Sequence, residues 1–173
     1  MSHVVFLRGA NTGGQKVFQP TQVARTLAEH DVVNVGAAGT FVVRASVSQA
    51  TIARLFTRAL PFKTDLMICP AIELLELLDD DAFDAKSPKD ANSYLTIMVA
   101  PLKRTPTLPI AQPEGNQWCV KIVAIRGRYV RSLHRRMGTR LIYPNEVVEK
   151  QFRQPATTRK WSTILKLAEI LRH

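Results

Sequence analysis

Over the first 70 residues, short apolar runs alternate with amphipathic stretches in an order that few folds accept. His3 to Arg8, built on Val4-Val5-Phe6-Leu7, reads as a strand. Pro20 to His30 reads as a helix, with proline at its start and Val23, Ala24 and Leu27 on one face. Val32 to Val35 and Thr40 to Ala45 are strand-like runs separated by Gly36 and Gly39. Behind Ser48, a good helix cap, Ile52, Leu55, Phe56, Ala59 and Leu60 recur at helical spacing up to Pro61. Thr64 to Cys69 is one more strand. The sum is β-α-β-β-α-β, the order of a ferredoxin-like domain, in which two helices cover one face of a four-stranded antiparallel sheet. Residues 1–70 are therefore expected to form one such subdomain.

Residues 71–173 are expected to form a second α+β subdomain of less regular order. "AIELLELL" predicts a helix running into Asp79-Asp80-Asp81, a triplet that fits a solvated turn and cap better than a metal or acid–base site. Tyr94 to Val99 predicts a strand, and "PLKRTPTLPIAQPEGN" an extended, exposed connector. Trp118 to Ile125 and Tyr129 to Leu133 predict a hairpin turning at Gly127. Trp161 to Leu171 carries a helical stripe, for which Thr157 or Thr158 is the expected cap.

Charge separates the two parts. Residues 1–102 hold 9 Lys/Arg against 10 Asp/Glu, whereas residues 103–173 hold 15 against 4, within a net charge of +10. No acid lies between Glu114 and Glu146, a window that contains Arg126, Arg128, Arg131, Arg135, Arg136 and Arg140. Such a field attracts polyanions, although positive charge also serves solubility alone. The apolar runs are too short to span a membrane, and the first ends at Arg8 without the shape of a signal peptide. Cys69 and Cys119 sit in apolar runs and read as buried, reduced thiols of a cytoplasmic protein. Histidines at 3, 30, 134 and 173 have no metal-ligand spacing, so no metal or cofactor is implied.

"RGANTGG", Arg8 to Gly14, follows the first strand as phosphate-binding loops do. Gly9-x-x-x-x-Gly14 begins a Walker pattern, but Gln15-Lys16 stand where Lys and Ser/Thr are required, and G-x-G-x-x-G is absent. Two readings remain. Arg8, Asn11, Gly13 and Gly14 could form an anion nest, or the glycines could supply the positive φ that a long connection needs. A second cationic motif, "PATTRKWST", would place Arg159 and Lys160 in the first turn of the last helix, where a cation is disfavoured unless an anion answers it. The two motifs make a single anion site only if they meet in the fold.

"VVFLRGANTGGQK" and "TTRKWSTILKL" together resemble the domain of unknown function 1697 family of small, mostly bacterial proteins, over nearly the whole chain. The resemblance implies an α+β fold of two ferredoxin-like subdomains and no established activity. Its motif positions are Arg8, Gly9, Asn11, Gly13 and Gly14, then Thr157, Thr158, Arg159, Trp161 and Thr163. The family's polar "QSGN"-like turn is replaced here by Ala37-Ala38-Gly39-Thr40.

The functional expectation is a protein that binds a phosphate-bearing or other anionic ligand, foremost nucleic acid, with no catalytic residue assigned. Arg8, Asn11, Gly13, Gly14, Thr157, Thr158 and Arg159 are the candidate ligand groups, and the six arginines from Arg126 to Arg140 the candidate phosphate contacts. In an RNA-recognition arrangement, Phe6 and Phe41 would be the stacking aromatics. The alternative is a small enzyme acting on an anionic metabolite, with Arg8, Asn11, Thr158 and Arg159 orienting the anion and His134 as acid–base group.

Overall fold

The computed structural model describes residues 1–173 as two compact units, Met1–Glu76 with Leu165–His173, and Leu77–Ile164. In the first unit β1 (His3–Leu7), α1 (Pro20–Thr26), β2 (Val32–Asn34), β3 (Thr40–Val43), α2 (Gln49–Ala59) and β4 (Leu66–Pro70) follow in turn. The sheet order is β2-β3-β1-β4, antiparallel throughout, as the β-α-β-β-α-β reading requires. Both helices are set by local chemistry. Pro20 opens α1 with its fixed φ. Ser48 caps α2 by accepting from Thr51 N at 3.2 Å, and Leu60 turns extended ahead of Pro61. Ile52 and Phe56 of α2 join Val5, Leu7, Phe41 and Val43 of the sheet in one core, where the Phe41 and Phe56 rings meet edge-on at 5.1 Å. The helix expected to reach His30 instead ends at Thr26, and a single 3-10 turn, Ala28–His30, leads to Asp31 at φ 49°.

β1 also buries a titratable group. His3 is 7% exposed and its Nδ1 has no hydrogen-bond partner. Desolvation, then the nearby terminal ammonium, holds its pKa below the usual 6.5, against a smaller opposing backbone hydrogen bond. The folded state thus takes up this proton at lower pH than the unfolded chain does, whose imidazole protonates below about pH 6.5. Stability is therefore expected to be insensitive to this group above pH 6.5 and to fall as pH drops below it. Urea unfolding from pH 8 to 5 tests this, with a shallower fall expected for His3→Gln.

The second unit repeats the strand order with one helix missing. After α3 (Ala71–Leu78) and α4 (Asp81–Asp84) come β5 (Asn92–Met98), β6 (Ile110–Gln112), β7 (Val120–Arg126), β8 (Tyr129–His134), α5 (Pro144–Phe152), β9 (Ala156–Lys160) and α6 (Trp161–Arg172). The order β6-β7-β8-β5-β9 contains β7-β8-β5-β9, the counterpart of β2-β3-β1-β4, with β6 added at the edge. Where the first unit has α1, the chain runs through Pro101, Pro106, Pro109 and Pro113, which no helix accommodates. α5 covers the sheet, placing Val148 among Met98, Ile122, Val130 and Ala156.

The chain changes unit within α3 and again within α6, so its last nine residues belong with the first unit rather than with residues 71–173. There Ile170, Leu171 and His173 line a cleft with Ser2, Val42 and Arg44. Asp80 caps α4 by accepting from Ala82 N at 3.0 Å, the structural role expected of the aspartate triplet. Gly127, at φ 59°, turns the β7–β8 hairpin in the two residues between Arg126 and Tyr129. α5, β6 and β9 were not anticipated from the sequence. Cys69 and Cys119 are free and buried.

Candidate functional site

The opening loop is held by its own side chains. Gly13 (φ 57°) and Gly14 (φ 73°) turn a two-residue hairpin closed by the Thr12–Gln15 bridge, so positive φ is what the glycines supply. Asn11 donates through Nδ2 to Ala37 O (2.8 Å) and Phe18 O (3.2 Å), and accepts from Phe18 N (2.9 Å). Its amide therefore ties the loop to the turn before β3. Ala37 serves with its backbone, which explains how a turn without polar side chains still holds the loop. Lys16 Nζ donates to Thr64 Oγ1 (3.0 Å), whose hydroxyl donates to Arg8 O (2.6 Å), and the Arg8 guanidinium lies 3.5 Å from Asp65.

The second motif departs from expectation. Thr157 and Thr158 do not cap a helix and Arg159 is not in a first turn, because residues 156–160 form β9, paired with β5 in the register Thr96↔Thr158 and Leu95↔Arg159. Alternate β9 side chains thus point to opposite faces of the sheet. Thr158 meets Thr96 Oγ1 at 2.7 Å and donates to Asn145 Oδ1 of α5 at 2.9 Å. Arg159, 7% exposed, donates to Thr157 Oγ1 (2.8 Å) and Thr158 O (3.0 Å), and burial pushes its pKa down to about 10. That still leaves it charged at neutral pH. Arg8 and Arg159 belong to different units, each holding its guanidinium by local contacts.

The six arginines divide by environment. Arg131 is buried and hydrogen-bonded. Arg135 stacks 3.9 Å over Trp118 while donating to Trp118 O at 2.9 Å, to Asn116 O, and to Asp90 Oδ2 at 3.3 Å. Arg126 pairs with Asp80 at 3.7 Å, and Arg128 is half-buried. Arg136 and Arg140 are exposed, and their side chains have no hydrogen bond or ion pair.

Those two free cations line a cavity of about 340 Å³ with His134, Leu141 and Tyr143. His134 ends β8 and Tyr94 lies on β5; the pairing Asn92↔His134 puts both on the sheet face that also carries Thr96. Tyr143 precedes Pro144, the first residue of α5, and is thereby kept extended at φ −115°. The rings stack His134 on Tyr143 at 5.6 Å and 24°, while Tyr94 meets His134 edge-on at 5.9 Å. Tyr143 stays 48% exposed and Leu141 68%. An aromatic face beside two unpaired guanidiniums can stack a planar ring and hold a phosphate together.

The sequence reading missed Tyr94, Leu141 and Tyr143. A tyrosine directly before the Pro144 helix start was the available signal, since that dipeptide fixes an aromatic at a helix entrance. Phe6 and Phe41 are fully buried, so the stacking role considered for them is corrected. No three His, Cys, Asp or Glu side chains gather where they could hold a metal ion, and no helix is long and apolar enough to cross a membrane.

A family model described as protein of unknown function (DUF1697) matches residues 1–124. The chain belongs to this family. The DUF1697 match includes the whole glycine loop and stops before Arg126, so the His134–Tyr143 cluster and the second cationic motif lie beyond it. The fold of this DUF1697 protein is similar to the structure of conserved bacterial protein SP0830 from Streptococcus pneumoniae, with a TM-score of 0.63, 14% identity and 98% of each chain covered. No curated protein matches.

Proposed function

We propose that this protein binds nucleic acid at the His134–Tyr143 end of its second unit. The observation that carries the reading is an exposed tyrosine face, backed by a stacked histidine and flanked by two arginines with no protein partner. Arg136 and Arg140 supply phosphate contacts, and Tyr143 supplies a stacking platform indifferent to base identity. A net charge of +10 hastens encounter with any polyanion, so the test must separate the site from bulk charge.

Fluorescence anisotropy with labelled RNA and DNA oligonucleotides, titrated across salt, is the measurement. Binding is expected to weaken steeply with salt, and Arg136→Ala/Arg140→Ala to lower affinity about tenfold or more, through two lost phosphate contacts. Lys103→Ala/Arg104→Ala removes the same charge from two exposed positions and is expected to act far less. Tyr143→Ala is expected to weaken binding about tenfold and Tyr143→Phe to retain it, since the ring and not the hydroxyl stacks. No binding at low salt, or equal losses from the two double variants, overturns the proposal.

A further inference from the structure

A second cavity, of about 240 Å³, borders the same aromatic group. It is lined by Asn92, Ser93, Tyr94, Lys160, Trp161 and Ser162. Tyr94 lines this cavity and His134 lines the first, and the two rings meet edge-on, 5.9 Å between centroids. Each cavity thus has the same equipment: an aromatic wall and an exposed cation without a protein partner, Lys160 here and Arg136 with Arg140 there. The Lys160 position follows from β9, whose register sets it opposite Tyr94.

We infer, resting on the proposed function, that the two cavities are successive nucleotide subsites for one single strand. Its bases sit on either side of the Tyr94–His134 ring pair and its phosphates follow Lys160 and the two arginines. A duplex conceals its base faces within the stack, so only an unpaired strand reaches both aromatic walls. Asn92 and Ser162 give the second cavity hydrogen-bonding groups for a base edge, whereas Leu141 leaves the first more apolar.

The test is a length series measured by competition: adenosine monophosphate, a dinucleotide, a single-stranded hexamer and the matching duplex, each in ribo and deoxyribo form. The dinucleotide is expected to bind about tenfold tighter than the monophosphate, in line with one more stacked base, and the single strand tighter than the duplex. Lys160→Ala is expected to erase the gain from one nucleotide to two. Arg136→Ala/Arg140→Ala is expected to weaken every member of the series. A dinucleotide no tighter than the monophosphate in both sugar forms, a duplex that matches the single strand, or a gain that survives Lys160→Ala overturns the two-subsite arrangement. Those results leave the proposed function standing wherever the arginine variant still weakens binding. If no member binds, both fall together.

Discussion

Arg131→Met is expected to destabilise the second unit by about 1.5–3 kcal/mol, the range for losing the hydrogen bonds of a charged group. Arg131 lies on β8 and is 3% exposed. Nε donates to Ser93 Oγ (3.1 Å), Nη1 to Ala82 O (3.2 Å), and Nη2 to Ala85 O (2.5 Å) and Ser87 Oγ (3.3 Å), with the Trp161 ring 6.0 Å away. One planar group therefore fastens the α4 segment to the sheet. Burial pushes its pKa down while the Asp84 carboxylate works against that shift. Methionine retains the apolar stem but leaves two carbonyls and two hydroxyls without their donor. Urea unfolding measures the loss, and limited proteolysis is expected to cut first within residues 79–90. Arg136→Met, five positions along the same arginine run but exposed, is expected to change stability by no more than about 0.5 kcal/mol. Equal effects from the two would show that the buried guanidinium fastens nothing.

Gly39→Ala is expected to cost about 3 kcal/mol, from two sources that a second glycine separates. Gly39 sits at φ 76°, a conformation that costs an L residue about 1–2 kcal/mol. A methyl group there would also lie 2.9 Å from Cβ, Cγ and Cδ1 of Leu7, which is fully buried and whose N–H donates to Gly39 O at 2.8 Å. Leu7 cannot withdraw without opening the core of the first unit, and overpacking of this kind costs about 1–3 kcal/mol. Gly36 has the same backbone sign, φ 87°, but open space around it. Gly36→Ala is expected to show the conformational cost alone, so the difference in unfolding midpoint between the two variants reports the packing. Matching midpoints would show that Leu7 yields.

The first unit was readable because its periodicities are local. Short continuous apolar runs mark β1 and β3, the i, i+3, i+4 spacing marks α2, and Ser48 and Pro61 mark its ends. The second unit depends more on partners distant in sequence. Thr157-Thr158 make an acceptable helix cap by local rules, yet pairing with β5 draws them into a strand. β6 has only three residues among prolines, too few for any period to show. The arginine window was legible as a charge excess but not as a site. Separating Arg131 and Arg135, which hold the structure together, from Arg136 and Arg140, which face solvent, requires the strand register and the location of Trp118. Asn11 shows the same limit: its residue type suits an anion, and only the fold reveals that Phe18 and Ala37 already occupy it.

The return of Leu165–His173 to the first unit has a consequence for biosynthesis. A ribosome releases β1 to β4 early, but the segment that completes their unit emerges only after all of residues 77–164. The amino-terminal unit therefore waits for its last segment, its sheet already complete, while an entire intervening body is made. Bringing such distant pieces together is the slow kind of step in protein folding, and it gives chaperones a defined interval in which to act.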